Sequence, residues 1–226
     1  MHVGIIMDGN RKYAVKKKLF PKFKGHIEGK KTLERLLNYW AKLKEPRYLT
    51  IYTFSLFNLK NRNPLEKKFI YKLLEIGFNQ LLKRKDVYEN NIHISFIGKK
   101  EGCPKSLQNS MKIVEEKTKT HKNKFLTFAI CYDGQEEILQ AFNKMIEEKV
   151  KKANLRTIKK HIYTKNLPAV DLMIRTGGEK RISGFLLWDI SYAELIFRKQ
   201  TWPEYTPKMF ENDLKEFRRR ERKFGK

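Results

Sequence analysis

The stretch HVGIIMDGNRKYA, residues 2–14, begins as an apolar run and stops abruptly at Asp8-Gly9-Asn10. Its first six residues have the β-branched composition of a buried strand. Five similar runs follow: YLTIYTF (48–54), IHISFIG (92–98), FLTFAICY (125–132), VDLMIR (170–175) and AELIF (193–197). Long helical patterns separate the runs, and this alternation is typical of parallel strands with helical crossovers. The sequence therefore predicts an α/β fold with a mainly parallel central sheet flanked by helices.

The helical patterns are amphipathic. Residues 25–44 carry apolar side chains at three-to-four spacing on one face: Ile27, Leu33, Leu36, Leu37, Trp40 and Leu43. Residues 64–83 are more apolar: Leu65, Phe69, Ile70, Leu73, Leu74, Phe78, Leu81 and Leu82. Further helices fit residues 105–118, 134–152 and 207–222. Nothing repeats and no linker rich in Gly, Ser or Pro divides the chain, so we interpret residues 1–226 as one domain.

The amino-acid composition restricts the kinds of ligand and surface that the protein is expected to bind. The chain has 226 residues, is 40% hydrophobic and carries a formal net charge of +25. Such a charge attracts polyanions, phosphate groups or an anionic membrane, although a lysine-rich surface of solvated ammonium groups is the alternative. Cys103 and Cys131 match no metal-ligand or CxxC spacing, so we expect reduced, structural thiols in a cytoplasmic protein. No apolar run approaches the ~20 residues that span a bilayer, so any membrane contact is expected to be peripheral.

The turn at Asp8 has the features of an anion site. Gly9 allows close approach to the backbone, and Asn10 is a suitable N-cap for a helix whose amides would face an anion. Donors for phosphate oxygens follow at Arg11, Lys12, Lys22 and His26. A carboxylate among so many cations is explained if it holds Mg²⁺, which binds through one or two carboxylates and substrate phosphates. The alternative is a helix-capping aspartate on a solvated basic face.

A second turn that carries several charged and polar side chains is IRTGGEKRISGFLLW, residues 174–188. Arg175, Arg181 and Ser183 surround the pair Gly177-Gly178, which suits a cradle of backbone and guanidinium groups for a diphosphate. A Gly-Gly pair alone indicates only a turn. Eleven residues after Ser183, Glu194 supplies a second carboxylate beside a predicted strand and is a candidate second ligand for the metal.

The third turn is YTFSLFNLKNRNP, residues 52–64. A strand ends at Phe54-Ser55 and is followed by Asn58 and Arg62. Their hydroxyl, amide and guanidinium groups could orient a substrate. Without the other two turns, this pattern is more typical of a capped loop than of a site.

Together the three turns resemble the cis-prenyltransferases, the family of undecaprenyl and dehydrodolichyl diphosphate synthases. The matching segments follow the family's order from end to end: HVGIIMDGNRKYA, KGH (24–26), YTFSLFN (52–58), IRTGGEKRISGFLLWDISYAELIF (174–197), WPEY (202–205) and RRERKFG (219–225). The long segment from RTGGE to WP is very specific, whereas DGN alone would be weak.

The resemblance implies roles for the residues around the primer. Asp8 looks like the family's essential aspartate, which handles Mg²⁺ and the allylic diphosphate, and Glu194 like the second carboxylate near the metal. His26 matches the histidine that accompanies the departing diphosphate. The neighbouring substrate-binding positions are Gly9, Asn10, Arg11, Lys12, Tyr13 and Lys22.

The resemblance also implies a site for isopentenyl diphosphate. Phe54, Ser55 and Asn58 match the motif that positions the condensing unit, with Asn58 expected to take part in catalysis. The diphosphate of this unit would be bound by Arg175, Arg181 and Ser183, and Arg62 is a further candidate.

The chain departs from the family pattern at several positions. Lys22 stands where many members have arginine, and Arg62 lies one residue farther from Asn58 than usual. The remaining departures are Cys131 and Gln135 in place of asparagine and arginine, Gly184 in place of asparagine, and Lys223-Phe224-Gly225 in place of the terminal R-x-G of eukaryotic members. These changes affect expected affinities more than activity.

The implied reaction is loss of diphosphate from an allylic primer, attack by the isopentenyl double bond, and proton loss that leaves a Z double bond. The apolar product needs a dry tunnel between the sheet and two helices, and each five-carbon unit gains roughly 3 to 4 kcal/mol from burial. The helix at 64–83 is the expected wall, through Phe69, Leu73, Leu74, Phe78 and Leu81. Ordinary core packing is compatible with the same pattern. The stretch between Phe54 and Gly98 is a few residues longer than in bacterial members, which favours a medium- or long-chain product.

Other classes of protein fit less well. A nucleic-acid-binding module would explain the charge, but no reading motif or stacking platform is present, so no nucleic-acid partner is expected. A trans-prenyltransferase would carry a D-D-x-x-D motif, which is absent, and a non-catalytic family subunit would be expected to lack Asp8. The resemblance implies a homodimer that uses farnesyl or geranylgeranyl diphosphate as primer, with peripheral membrane contact for product release.

Overall fold

The computed structural model describes residues 1–220. Its sheet contains strands β1 (His2–Ile6), β2 (Tyr48–Ser55), β3 (Ile92–Ile97), β4 (Lys124–Tyr132), β5 (Leu172–Arg175) and β6 (Glu194–Phe197). The spatial order is β3-β4-β2-β1-β5-β6, and all neighbouring pairs are parallel. All six apolar runs of the sequence are therefore strands, and the predicted fold class is confirmed. The terminal motif at 223–225 lies outside the described residues.

Nine α-helices occur within these 220 residues: α1 (Asn10–Lys16), α2 (Gly25–Lys42), α3 (Leu56–Asn61), α4 (Pro64–Leu81), α5 (Lys85–Glu89), α6 (Lys105–Thr118), α7 (Gly134–Glu147), α8 (Leu155–His161) and α9 (Pro207–Arg219). Single 3₁₀ turns lie at Lys22–Lys24, Lys100–Gly102 and Trp202–Glu204. None of the described helices has both the length and the hydropathy to cross a bilayer.

Capping residues and backbone conformation determine where the helices begin and end. The α4 helix begins where Asn63 Oδ1 accepts a hydrogen bond from the Glu66 amide at 2.8 Å and Pro64 occupies the first turn. The α7 helix ends at Glu147 and not at 152, because Lys149 adopts a left-handed φ of 53°. The α2 helix likewise ends two residues earlier than expected, at Lys42, where Leu43 becomes extended ahead of Pro46.

The core lies on both faces of the sheet. One apolar cluster packs the sheet against α2, α4, α6 and α9, with Trp40, Phe78 and Leu107 among its buried side chains. A smaller cluster covers the opposite face through Tyr52 and Phe185. Because successive strand residues point to opposite faces, Ile5 joins the first cluster and Ile6 the second.

The sheet register positions the functional turns. Ile6 of β1 pairs with Tyr52 of β2 and with Arg175 of β5. The carboxyl ends of three strands therefore meet at the centre of the sheet, with β1 between neighbours that come from distant parts of the chain. Ligands of open α/β sheets bind in the crevice beyond such strand ends. The turns after β1, β2 and β5 are the three turns that the sequence singled out.

Candidate active site

A cavity of about 670 Å³ opens beside these strand ends and extends between the sheet and helices α2 and α4. Polar residues line its mouth: Asp8, Asn10, His26, Ser55, Asn58, Arg62, Asp133, Arg175, Arg181 and Ser183. Apolar residues line most of the rest: Leu33, Leu37, Phe54, Ile70, Leu73, Leu74, Phe78, Leu81 and Phe128. A second polar group also contributes to the lining, from α2, α4 and the segment after α4: Lys30, Glu34, Gln80 and Arg84. A charged mouth on an apolar interior suits a ligand with an anionic head and a hydrocarbon chain.

Asp8 and Arg175 form the centre of the mouth. Asp8 Oδ2 accepts a hydrogen bond from Arg175 Nη2 at 2.8 Å, and Asp8 Oδ1 accepts one from the Gly9 amide at 2.7 Å. Arg175 Nη1 also donates to the Ser183 hydroxyl at 2.9 Å and to the Arg181 carbonyl. The Arg175 side chain is buried, and its Nε has no partner within residues 1–220. The guanidinium is thus held in place by three hydrogen bonds.

The glycine pair after β5 does not form a free backbone cradle, which corrects the sequence interpretation. The Gly177 amide donates to the Gln200 carbonyl at 2.7 Å and the Gly178 amide to the Arg198 carbonyl at 2.9 Å. Both N–H groups are therefore used to attach this turn to the segment after β6. Gly177 is required for close packing instead, because a Cβ there would lie 2.9 Å from the Asp8 carbonyl carbon at a φ of 89°.

Lys12 and Arg181 meet at Glu179, a residue that the sequence analysis did not single out. Lys12 Nζ donates to Glu179 Oε1 at 2.8 Å and to the Gly177 carbonyl at 2.9 Å, and Arg181 Nη1 donates to Glu179 Oε2 at 2.6 Å. The hydrogen bond from Lys12, followed by that from Arg181, lowers the pKa of Glu179. Both cations lie on the exposed rim and share one carboxylate.

His26, Arg62 and Glu66 form a second cluster at the mouth. Arg62 Nη1 lies 3.0 Å from His26 Nε2 and donates to Glu66 Oε1 at 2.9 Å. Burial lowers the pKa of His26, while its hydrogen bond with Glu66 acts in the opposite direction. The pKa of the buried Glu66 is also lowered, first by its hydrogen bond with His26 and further by Arg62. Arg62 thus lies at the mouth despite its altered spacing.

Glu66 was missed because its sequence context has another explanation. Asn63-Pro64-Leu65-Glu66 is the signature of a helix N-terminus, with an acidic residue in the first turn. Only the fold brings α2 and α4 together and places this carboxylate beside His26.

The turn after β2 combines capping with cavity lining. Ser55 Oγ accepts from the Asn58 amide at 3.0 Å and so caps α3, as the loop interpretation expected. Ser55 and Asn58 also line the cavity mouth. The buried Phe54 ring faces the Arg62 guanidinium, whose carbon lies 5.8 Å from the ring centre.

Asn10 does not cap α1, contrary to expectation. Gly9 occupies the cap position with a φ of 104°, and the helix begins at Asn10 itself. The buried Asn10 Oδ1 has no partner in the described part of the chain and points towards Gly29, where a Cβ would lie only 2.2 Å away. The remaining predicted binding residues of this segment do not line the cavity: Gly9, Arg11, Lys12, Tyr13 and Lys22.

Glu194 lies far from Asp8 within the chain, so the fold does not bring the two predicted metal ligands together. It begins β6 opposite Leu172, whereas Arg175, the partner of Asp8, pairs with Phe197 at the other end. Three residues of strand separate the two levels by about 10 Å. The Glu194 carboxylate instead accepts from Arg220 Nη1 at 2.7 Å.

Asp8 by itself fits Mg²⁺. Its side chain is 34% exposed at the mouth and presents hard oxygen donors. Mg²⁺ is often bound by one or two carboxylates, with substrate phosphates and water completing the shell. Residues 1–220 contain no group of three His, Cys, Asp or Glu side chains suited to a metal, so any such ion would depend on the substrate for further ligands.

Gly184, one of the departures from the family pattern, leaves room for a residue of the cavity mouth. Gly184 has a φ of 72°, and a Cβ at this position would lie 2.7 Å from Asp133 Oδ2. Asp133 lines the mouth and caps α7 by accepting from the Gln135 amide at 2.9 Å. The glycine at 184 therefore leaves the space that the aspartate side chain occupies.

The apolar wall is largely as predicted. Leu73, Leu74, Phe78 and Leu81 of α4 line the cavity. Phe69 does not, because it packs against Phe23 with ring centres 4.9 Å apart, and Ile70 takes its place.

The chain is similar to known proteins over its whole length. A family model described as "Putative undecaprenyl diphosphate synthase" matches residues 6–225. The tritrans,polycis-undecaprenyl-diphosphate synthase (geranylgeranyl-diphosphate specific) of Thermoplasma volcanium is 39% identical, covering 100% of this chain and 88% of the relative. The isoprenyl transferase of Aquifex aeolicus is 37% identical, covering 100% and 95%. Among solved structures, lavandulyl diphosphate synthase from Lavandula x intermedia in complex with dimethylallyl diphosphate superposes with a TM-score of 0.90 at 28% identity, covering 100% and 98%.

These similarities establish the type of chemistry. The family and its curated relatives are prenyl diphosphate synthases, and the charged mouth and apolar interior agree with a substrate that has a diphosphate head and an isoprenoid chain. The enzyme is a transferase that elongates a prenyl chain on an allylic primer. The chain belongs to the undecaprenyl diphosphate synthase family, the cis-prenyltransferases.

Proposed function

We propose that this enzyme condenses isopentenyl diphosphate onto geranylgeranyl or farnesyl diphosphate with Z double bonds, giving a medium- or long-chain polyprenyl diphosphate for use as a glycosyl carrier lipid precursor. The observation that carries the proposal is the Asp8–Arg175–Ser183 chain of hydrogen bonds at the mouth of an apolar cavity. Geranylgeranyl diphosphate is the favoured primer because the Thermoplasma relative carries that specificity in its name.

The mouth residues divide between two diphosphates. Arg175, Arg181 and Ser183 bind the isopentenyl diphosphate through charge-assisted hydrogen bonds. Asp8 would hold Mg²⁺ beside the allylic diphosphate, and the ion would supply positive charge for the leaving group. His26 and Arg62 supply further donors on the α2 side. These groups are held in place before reaction, so little reorganisation is needed as the carbon–oxygen bond breaks.

The apolar cavity controls the carbon chemistry. Phe54, Ser55 and Asn58 orient the isopentenyl double bond towards the allylic carbon. Attack forms the new carbon–carbon bond, and proton loss from the condensing unit gives the Z double bond. The lining of Leu, Ile and Phe excludes water that would capture the allylic cation, and it receives the lengthening chain.

Product analysis tests this function. The purified enzyme is incubated with Mg²⁺, labelled isopentenyl diphosphate and either primer, and the dephosphorylated products are separated by chromatography. We expect a ladder that ends beyond the single-addition product, with faster turnover of geranylgeranyl diphosphate. A product limited to one addition, or no incorporation, would contradict the proposal.

A homodimer is the proposed assembly. Leu139, Phe142 and Ile146 are exposed on one face of α7, at the three-to-four spacing of a packing surface. A second copy of this chain is the proposed partner for this face. Light scattering should show a dimer that Ile146→Lys converts to monomer, and a monomeric parent protein would refute the assembly.

Peripheral membrane contact is proposed for the cavity mouth. Phe20 (83% exposed), Phe57 (72%) and Leu65 (74%) project near it, with the Phe23–Phe69 contact joining the 17–24 loop to α4. Five exposed lysines are close in sequence to Phe20 or Phe57: Lys17, Lys18, Lys22, Lys24 and Lys60. Exposed apolar side chains together with several cations suit the surface of an anionic bilayer.

Vesicle sedimentation tests this contact. Leu65→Ser should weaken binding to vesicles that contain phosphatidylserine. Leu155→Ser is the matched control, since Leu155 is 75% exposed at the start of a different helix, α8. Equal effects of the two changes would remove the assignment of this surface.

A further inference from the structure

The fold brings the two cysteines of the chain into contact. Cys103 and Cys131 are 28 residues apart in sequence, yet their Sγ atoms lie 3.4 Å apart. Both side chains are buried and both are free thiols. The expectation of separate structural thiols did not anticipate this contact, because the spacing matches no known motif.

The backbone of β4 is irregular at Cys131. In the pairing of β2 with β4, Ile130 faces Phe54 and Tyr132 faces Ser55, so Cys131 is left without a paired residue on β2. Cys131 has a left-handed φ of 47°, which is unusual for a residue other than glycine. The Cys131 carbonyl accepts from the Lys99 amide at 3.1 Å, which attaches the turn that leads to Cys103. Cys131 is therefore a bulge residue, and the Cys103 turn covers it.

The cysteine pair contacts the elements that carry the predicted substrate residues. The Tyr71 hydroxyl of α4 donates to the Gly102 carbonyl at 3.4 Å, and its ring packs edge-on against Phe54 at 5.5 Å. Leu59 of α3 packs on the same turn, where a Cβ at Gly102 would lie 3.1 Å from Leu59 Cδ2. Phe54 lines the cavity and α3 carries Asn58. A movement of the Cys103 turn would thus reach the cavity through Tyr71 and Leu59.

We propose that Cys103 and Cys131 are an oxidative modification site, where a peroxide converts the two thiols into a reversible disulfide that lowers prenyl transfer. One thiolate attacks a peroxide oxygen, breaking the O–O bond and forming a sulfenic acid with release of water or alcohol. The second thiol attacks the sulfenic sulfur, forms the S–S bond and releases water. Two thiols are oxidised and one peroxide is reduced, so atoms and electrons balance.

Either sulfur can attack first and the other then resolves the sulfenic acid, because the two Sγ atoms are in contact and either thiol can donate the hydrogen bond between them. Dithiol reductants reverse the bond by thiol–disulfide exchange.

Formation of the Cys103–Cys131 disulfide requires the Cys103 turn to move. The sulfur atoms, 3.4 Å apart, must close to about 2.0 Å, which pulls the Cys103 turn towards the β4 bulge. Tyr71 and Leu59 rest on that turn, so Phe54 and α3 shift with it. A displacement of about 1 Å in positioning groups can cost up to ~100-fold in rate, and we expect kcat/KM to fall by roughly tenfold or more on oxidation.

The test uses the full chain and hydrogen peroxide. Thiol titration and intact mass should show the loss of both thiols and of two hydrogen atoms, with the Cys103 and Cys131 peptides linked. Activity should fall in parallel and return with dithiothreitol. Cys103→Ser and Cys131→Ser should each block the disulfide and keep activity through a peroxide exposure that is reversibly inhibitory for the parent. Using both variants, with melting curves, guards against a fold defect in one of them.

Defined outcomes would overturn the proposal. One is gain of oxygen atoms without a Cys103–Cys131 linkage, and another is two thiols that persist at a peroxide level that oxidises the partly exposed methionines Met1, Met7 and Met209. A disulfide that leaves activity unchanged would also refute it. The activity readout rests on the proposed function, whereas the thiol count does not. Absence of prenyl transfer in the reduced enzyme would therefore count against the proposed function alone.

Discussion

Arg175 at the end of β5 donates to the Asp8 carboxylate at the end of β1, with 2.8 Å between Nη2 and Oδ2, although 167 residues separate them. The parallel pairing of β1 with β5 creates this contact by placing Ile6 beside Arg175. The same guanidinium also holds Ser183. The buried Arg175 guanidinium therefore links the proposed metal-binding carboxylate of Asp8 to the proposed diphosphate site. Substitutions in these two sites should affect different kinetic constants.

Asp8→Ala should abolish turnover while the fold persists. The carboxylate is partly exposed, and Arg175 keeps its bonds to Ser183 and to the Arg181 carbonyl, so little packing is lost. Loss of the metal–diphosphate contact should lower kcat by about 10³-fold or more. Steady-state kinetics with Mg²⁺ titration measures this. Glu216→Gln is the control, because that carboxylate pairs with Arg198 and Arg220 away from the cavity. Near-normal turnover of Asp8→Ala would remove the assignment.

Arg181→Ala should raise the KM for isopentenyl diphosphate by about tenfold and the KM for the primer far less. One charge-assisted contact to a diphosphate is worth roughly 1.5 to 3 kcal/mol. Arg181 is a cleaner test than Arg175, because it lies on the exposed rim and its loss leaves no buried partner. Initial rates with each substrate varied separately give the two KM values. Arg156→Ala, an exposed arginine on α8, should change neither value. Equal rises for both substrates would indicate a shared structural role.

The sequence predicted the strands well because each is a short apolar run bounded by polar turns, a local signal. It also singled out Asp8, Arg175 and Ser183, which lie in motifs near strand ends and which the fold brings into hydrogen-bonded contact. It could not predict contacts made by tertiary packing, such as Glu66 with His26 or Cys103 with Cys131. The distance between Glu194 and Asp8 has the same origin: the motif position of Glu194 says nothing about which end of β6 it occupies.

Stability should fall as the pH is lowered through the range of histidine titration. Burial lowers the pKa of both His2 and His26 below the ordinary value of 6.5. Between the folded and unfolded pKa values the unfolded chain binds more protons, so the free energy of unfolding decreases as pH drops below about 6.5. Urea unfolding at pH 8, 7, 6 and 5 measures the slope. His26→Gln should make the slope shallower in this window, and an unchanged slope would show that the pKa of His26 does not differ between the folded and unfolded chain.

The length of the polyprenyl product should depend on the α4 side chains that line the cavity. Leu73 and Leu74 line the cavity, so enlarging either to Trp should block the path of the growing chain and shorten the product. Ile76→Trp is the matched control, because Ile76 lies on the exposed side of the same helix. Chromatography of the dephosphorylated products gives the length distribution. Overpacking can cost ~1 to 3 kcal/mol, so melting curves must accompany the assay.

Phe78→Ala should have the opposite effect and lengthen the product. The Phe78 ring lies between Phe96 and Phe128, with ring centres 4.7 and 5.1 Å away, so its removal opens space beside the sheet. The change also costs about 3 to 5 kcal/mol of stability, and the assay is therefore run well below the melting temperature. Phe69→Ala removes the same side chain from α4 at a position outside the cavity and should leave product length unchanged. If folded Leu73, Leu74 and Phe78 variants all gave the parental ladder, the growing chain would have to follow a path that avoids α4.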